Sequence, residues 1–157
     1  MSDHIDPAVG FAPDEIDTSV PTRAARLKWV VVVDEALPPG RAVNAAICVS
    51  AATAAGVTGL LGPSTHDATG SAHPGLPWAG CTVLAADAAT LRVIRAKAEA
   101  HEGTFVADMP AAAQATRVYD DYAASVASAG ELDYLAVSLV GPKNRIDKIG
   151  GRLPLLP

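Results

Sequence analysis

The sequence predicts an α/β protein, a three-layer sandwich built on a four-stranded, mostly parallel mixed sheet. Three observations carry this expectation. Short apolar runs alternate with stretches of helical period, in the order β-α-loop-β-α-β-α-β-α. Turn-forming Pro, Gly and Asp residues bound most of these segments. The 157 residues are 50% hydrophobic and 18% charged, which suits one domain with a packed core.

Residues 27–33 hold four consecutive valines after Trp29, a β-branched run that reads as a buried strand ended by Asp34 and Glu35. Pro38-Pro39-Gly40 turns the chain into a helix over residues 41–55, because Pro is tolerated where helical N–H groups lack partners anyway. Val43, Ile47, Ser50 and Ala54 share one face of it, and Gly56 stops it. Residues 59–80 are irregular, with seven Gly and Pro residues from Gly62 to Gly80 after Gly59, and so long a connection is often functional. Residues 81–86 form the second strand. Asp87 caps the next helix, whose apolar stripe is Leu91, Ile94 and Ala98. A third strand covers 104–107 and ends at Asp108. Pro110 opens a helix with Ala112, Thr116, Tyr119, Ala123 and Val126 on one side. The fourth strand spans 132–140. One or two helical turns follow Gly141-Pro142, and 153–156 is an extended terminal piece.

Charge is unevenly placed. Residues 1–22 hold Asp3, Asp6, Asp14, Glu15 and Asp17 without one Lys or Arg, which leaves the rest of the chain neutral. Residues 1–24 therefore read as a flexible acidic tail, and 25–157 as the single domain. The tail has neither the basic start nor the apolar stretch of a signal peptide. Residues 42–65 carry no charge, but Asn44, Gly56 and Gly59 and the many small residues fit a close-packed core helix better than a membrane span. The expected setting is cytoplasmic, with no membrane and no DNA partner. Few aromatics argue against a base-stacking platform, and two cysteines cannot build a disulfide framework or an all-cysteine zinc site. Both cysteines read as buried packing.

His66, Asp67 and His73 are the first candidate site. A carboxylate beside an imidazole can orient it for general-base work, and the alternative is a solvated loop. The spacing matches no metal-ligand pattern, so neither a metal nor a cofactor is expected. Asn44, in the first turns of its helix, either braces the preceding loop or bonds a ligand near the free N–H groups. Arg41 could grip a carboxylate or phosphate through two nitrogens, or simply face water. Asp108 ends a strand, where ligands of open α/β sheets collect, or else caps the next helix. Gln114 and Thr116 follow as further ligand-binding candidates. Tyr119 and Tyr122 fit core or dimer contacts. Lys143, Arg145, Lys148 and Arg152 make the C-terminal end basic, either as phosphate contacts or as a solvated rim.

Several strings resemble the peptidyl-tRNA hydrolase II superfamily. They are Leu139-Val140-Gly141-Pro142, Ile146-Asp147-Lys148-Ile149, and Gly151 with Leu153 and Leu155. Val83-Leu84, Leu91, Ala98, Phe105 and Asp108 are similar to its second strand, second helix and following Asp, and residues 37–51 align with its first loop and helix. The resemblance implies that superfamily's fold and a homodimer. Arg41 keeps the first basic position of the entry to the helix. Val43, Ile47 and Ser50 stand where the hydrolases carry Lys, Gln and His, so the basic face has become apolar. Asn44, the loop from His66-Asp67 to His73-Gly75, and the insert with Tyr119 and Tyr122 resemble an uncharacterised bacterial family of that superfamily. The expected function is binding or hydrolysis of a small acyl or amide compound. Peptidyl-tRNA or aminoacyl-ester hydrolysis, with tRNA as a disfavoured partner, is the alternative, and a non-catalytic dimeric interaction module is the third.

Overall fold

The computed structural model describes residues 8–157. Leu27–Asp34 forms β1, and its side chains alternate between two faces. Trp29, Val31 and Val33 enter one core, Val30 and Val32 another. A strand buried on both faces needs a covering layer on each. α1 (Pro39–Gly56) supplies the first layer, through Ala42, Ala45 and Val49. A two-stranded hairpin of β2 (Thr65–His66) and β3 (Ala72–His73) follows. β4 (Thr82–Ala86) then runs parallel to β1, pairing Val30 with Thr82 and Asp34 with Ala86. α2 (Ala88–Glu99) covers the second face with Leu91, Ile94 and Ala98. The Asp87 carboxylate accepts from the Thr90 amide at 2.8 Å and starts this helix as expected.

β5 (Phe105–Pro110) leads through α3 (Ala112–Ala115) and α4 (Tyr119–Ser128) to β6 (Tyr134–Pro142) and α5 (Lys143–Gly150). The sheet order is β4-β1-β6-β5, and α5 joins α2 on the second face through Ile146. Four strands and three layers stand as expected. The ladders do not, for only β1–β4 is parallel, while β6 runs antiparallel to both β1 and β5. The alternation of strand and helix suggested crossovers throughout. Yet Pro110 pairs with Tyr134, so β6 begins where β5 ends, and α3–α4 is an excursion between antiparallel neighbours. Its start packs on the first core through Ala111 and Ala113. No residue of α4 is buried.

The single helix expected after Pro110 is also two. Pro110 ends β5, and extended backbone at Thr116 and Val118 separates α3 from α4. The Thr116 hydroxyl donates to the Ala112 carbonyl at 2.9 Å and closes α3.

The face of α1 singled out by spacing is not the buried one. Ala42, Ala45, Val49 and Thr53 are buried, whereas Val43 is 56% and Ile47 60% exposed. Gly56 is the last residue of α1, and a Cβ there would overlap the Phe105 ring, so the helix approaches β5 too closely for any side chain.

Residues 8–24 pack against the body where the sequence suggests a tail. The Phe11 amide donates to the Thr58 carbonyl at 2.8 Å, and its ring, 3% exposed, lies 4.7 Å from that of Trp78. Arg26 ties Glu15 at 2.9 Å and the Gly10 carbonyl at 2.8 Å. Acidity alone does not make a segment loose when an aromatic anchor sits inside it. The tail residues before Ala8 lie outside the described residues. The piece at 153–156 lies along the outer edge of β4, with the Ala85 amide donating to the Pro154 carbonyl at 2.9 Å. Among the described residues no helix is long and apolar enough to cross a membrane.

Candidate functional site

β5 is the open edge of the sheet, and a cleft of about 510 Å³ lies where it meets α1 and the α3–α4 excursion. Asn44, Cys48 and Ala52 line it from α1. They recur every fourth residue and therefore stand on one helical face. Asp108 and Met109 line it from β5, and Thr116 to Tyr119 with Tyr122 from the excursion. The Tyr119 and Tyr122 rings meet edge to face, 5.4 Å apart. Burial, then the charges of Tyr119 and Asp108, push the Tyr122 phenol above its ordinary pKa, so it is a neutral hydroxyl at physiological pH.

Five of the expected residues converge here. Asn44, Asp108 and Thr116 line the cleft, and Arg41 and Gln114 adjoin it by hydrogen bonds. Arg41 Nε donates to Gln114 Oε1 at 2.7 Å. Gln114 Nε2 donates to the Arg41 carbonyl at 2.9 Å and to Asn44 Oδ1 at 3.2 Å. Asp108 Oδ2 accepts from Arg95 Nε at 3.1 Å, and Arg95 also pairs with Glu99 at 2.6 Å.

His66, Asp67 and His73 do come together, but in the exposed β2–β3 hairpin and not in the cleft lining. Asp67 Oδ1 accepts from the Thr69 hydroxyl at 2.6 Å, the Thr69 amide at 2.8 Å and the Ser71 amide at 3.1 Å. Its other oxygen meets His73 Nε2 at 3.2 Å. The Thr69 hydroxyl first, then His73 and the two amides, hold the Asp67 carboxyl down at about 2. These bonds organise the turn between β2 and β3. Among the described residues no three His, Cys, Asp or Glu side chains gather where a metal ion could sit.

Both cysteines are exposed, contrary to the expectation of buried packing. Close packing around its sulfur still pushes the Cys81 thiol up to about 12, so it stays protonated. Cys48 lies in the cleft because it follows Asn44 by one turn. That four-residue spacing was present in the sequence. Arg117 and Val118 were not singled out, and the break between α3 and α4 that brings them to the cleft leaves no composition signal.

Fold and site together define a three-layer α/β/α protein with a polar cleft at the open sheet edge. The chain belongs to a family described as protein of unknown function (DUF2000), whose model matches residues 27–157. An uncharacterised family was the expectation. A solved structure of a protein of unknown function from Agrobacterium tumefaciens is similar, with a TM-score of 0.76 and 17% identity, over 83% of this chain and 97% of that one. At that identity the likeness concerns the fold. No curated protein matches. Neither finding includes a kinship with peptidyl-tRNA hydrolases.

Proposed function

We propose that the cleft between α1, β5 and α4 binds a small acyl or amide compound. The observation that carries this reading is the gathering of Asn44, Asp108 and Arg117 with two tyrosines and an apolar wall in one cavity of about 510 Å³. Pockets for small molecules combine a few oriented polar groups with apolar walls in this way. An acyl or amide group offers a carbonyl acceptor for Asn44 or Arg117, and an amide N–H suits the remaining oxygen of Asp108. The resemblance of residues 37–51 and 139–155 to peptidyl-tRNA hydrolase II proteins also favours an acyl ligand. Among the described residues the lining contains no histidine. The proton-bearing or proton-accepting groups it does hold include Asp108, one of whose oxygens Arg95 engages, the Cys48 thiol and the Tyr119 and Tyr122 hydroxyls.

A tRNA ligand is less well supported. Lys143 is bound to the Arg23 carbonyl and Arg145 to the Glu102 carbonyl, so half of the basic C-terminal set is already engaged within the protein.

Thermal unfolding with a panel of N-acetyl amino acids and their amides tests the reading. At least one compound should raise Tm in a concentration-dependent way, because binding to the folded state alone stabilises it. Asn44→Ala should abolish that rise with little change in the ligand-free Tm. A panel without effect, or a rise that survives in Asn44→Ala, rejects the cleft as the site.

A further inference from the structure

Arg41, Gln114 and Asn44 form a relay in which each group dictates the next. The Arg41 side chain has donors and no acceptor, so the oxygen of Gln114 must face it, at 2.7 Å. The Arg41 carbonyl can only accept, so the nitrogen of Gln114 must face that, at 2.9 Å. Gln114 is thereby held in one amide orientation from both ends. Its nitrogen then requires the oxygen of Asn44, at 3.2 Å. Asn44 then offers the cleft its NH2 group, two donors, and at most the second lone pair of an oxygen turned toward Gln114. Charge points the same way. The lining has one acid and one base. Asp108 is offset by Arg95 at 3.1 Å, whereas Arg117 makes no ion pair among the described residues. Tyr119 and Tyr122 add hydroxyls, and Met109, Val118 and Ala52 add apolar surface.

We infer that the ligand is a carboxylate, an N-acyl amino acid in chemical class, with Asn44 and Arg117 as its donors and Gln114 and Arg41 as positioning residues that fix Asn44. This deepens the proposed function and rests on it. Charge-assisted bonds to a carboxylate are about twice as strong as neutral ones, and Arg117 supplies the charge. Asp108 Oδ1 is the acceptor for the ligand's N–H, and the apolar surface takes its side chain.

The test compares N-acetyl-leucine with N-acetyl-leucinamide, which differ by one charge, by calorimetric titration of the full chain at low salt. The acid should bind about tenfold tighter. Arg117→Gln should bring the two close to parity while binding persists, and this exposed position leaves folding untouched. Gln114→Leu removes the contacts that orient Asn44 without adding a charge, so the preference for the acid should shrink while the amide still binds. That change in ratio separates positioning from a merely structural role. If both compounds bind wild type equally, or the amide binds better, the carboxylate assignment falls and the cleft reading stands. A preference for the acid that both variants leave unchanged also overturns the assignment. If neither compound binds, the assignment and the reading it rests on fall together.

Discussion

Ser138 is a hydroxyl in the middle of β6, on a run otherwise made of Leu, Val and Ala, and it is fully buried. A lone buried hydroxyl would cost stability, so its partners matter. Trp29 Nε1 donates to Ser138 Oγ at 2.8 Å, and Ser138 Oγ lies 2.7 Å from Thr53 Oγ1. Thr53 Oγ1 donates to the Val49 carbonyl at 2.7 Å, which leaves Ser138 to donate to Thr53. One chain of hydrogen bonds thus joins β1, β6 and α1, and every member is satisfied. Ser138→Ala strands the Trp29 N–H in the core and should destabilise the protein by about 1–3 kcal/mol. Urea unfolding measures it, and a loss below about 0.5 kcal/mol, the scale of an exposed substitution, would mean that the network does not hold these elements together.

α1 shows how an element can be predicted correctly in extent and wrongly in orientation. Pro38 to Gly40 and Gly56 bracketed it in the sequence, and the structure places it at Pro39–Gly56. After its first turn it is mostly small and apolar residues spread all round, so two faces have similar apolar content. Size decided between them, because the helix lies so close to β5 that Gly56 touches the Phe105 ring and Ala42 and Ala45 suit the contact. Val43 and Ile47, the larger residues, stayed outside. Val49→Ala should therefore cost about 2–3 kcal/mol, while Val43→Ser should change stability by no more than about 0.5. Equal losses at the two positions would reverse the face. The same limits governed the rest of the sequence. Strands with β-branched or strongly apolar cores and the Asp87 cap were legible, because their signals are local. Strand direction was not, because β6 gains its antiparallel place from pairing Pro110 with Tyr134, a contact between distant residues. For the cleft, Asn44, Asp108, Gln114 and Thr116 were legible as polar residues at element ends. Cys48 was legible only as the residue one turn after Asn44, and Arg117 depended on a helix break that no short window contains.

At the scale of the molecule, the N-terminal segment closes the first core from outside. Its parallel bridge from Gly10 to Thr58 follows directly on the end of α1, and the Phe11 ring fills the space against Trp78. Gly59 takes a positive φ of 71°, and a Cβ there would meet the Phe11 carbonyl oxygen at 2.8 Å, so the segment and the turn after α1 are shaped to each other. Trp78 Nε1 donates to the Gly59 carbonyl at 2.8 Å and brings the irregular region 59–80 into the same contact. Three segments distant in sequence thus share one aromatic cluster, which also lies beneath Arg26, 5.9 Å from the Phe11 ring centre. Removing a buried phenylalanine costs about 3–5 kcal/mol, and Phe11→Ala should lower stability on that scale. Val20→Ser, at an exposed position of the same segment, should instead leave Tm within a few degrees of the full chain. Thermal unfolding of both variants separates the alternatives. A Tm for Phe11→Ala equal to that of the full chain would make the segment the loose tail that its acidity suggests.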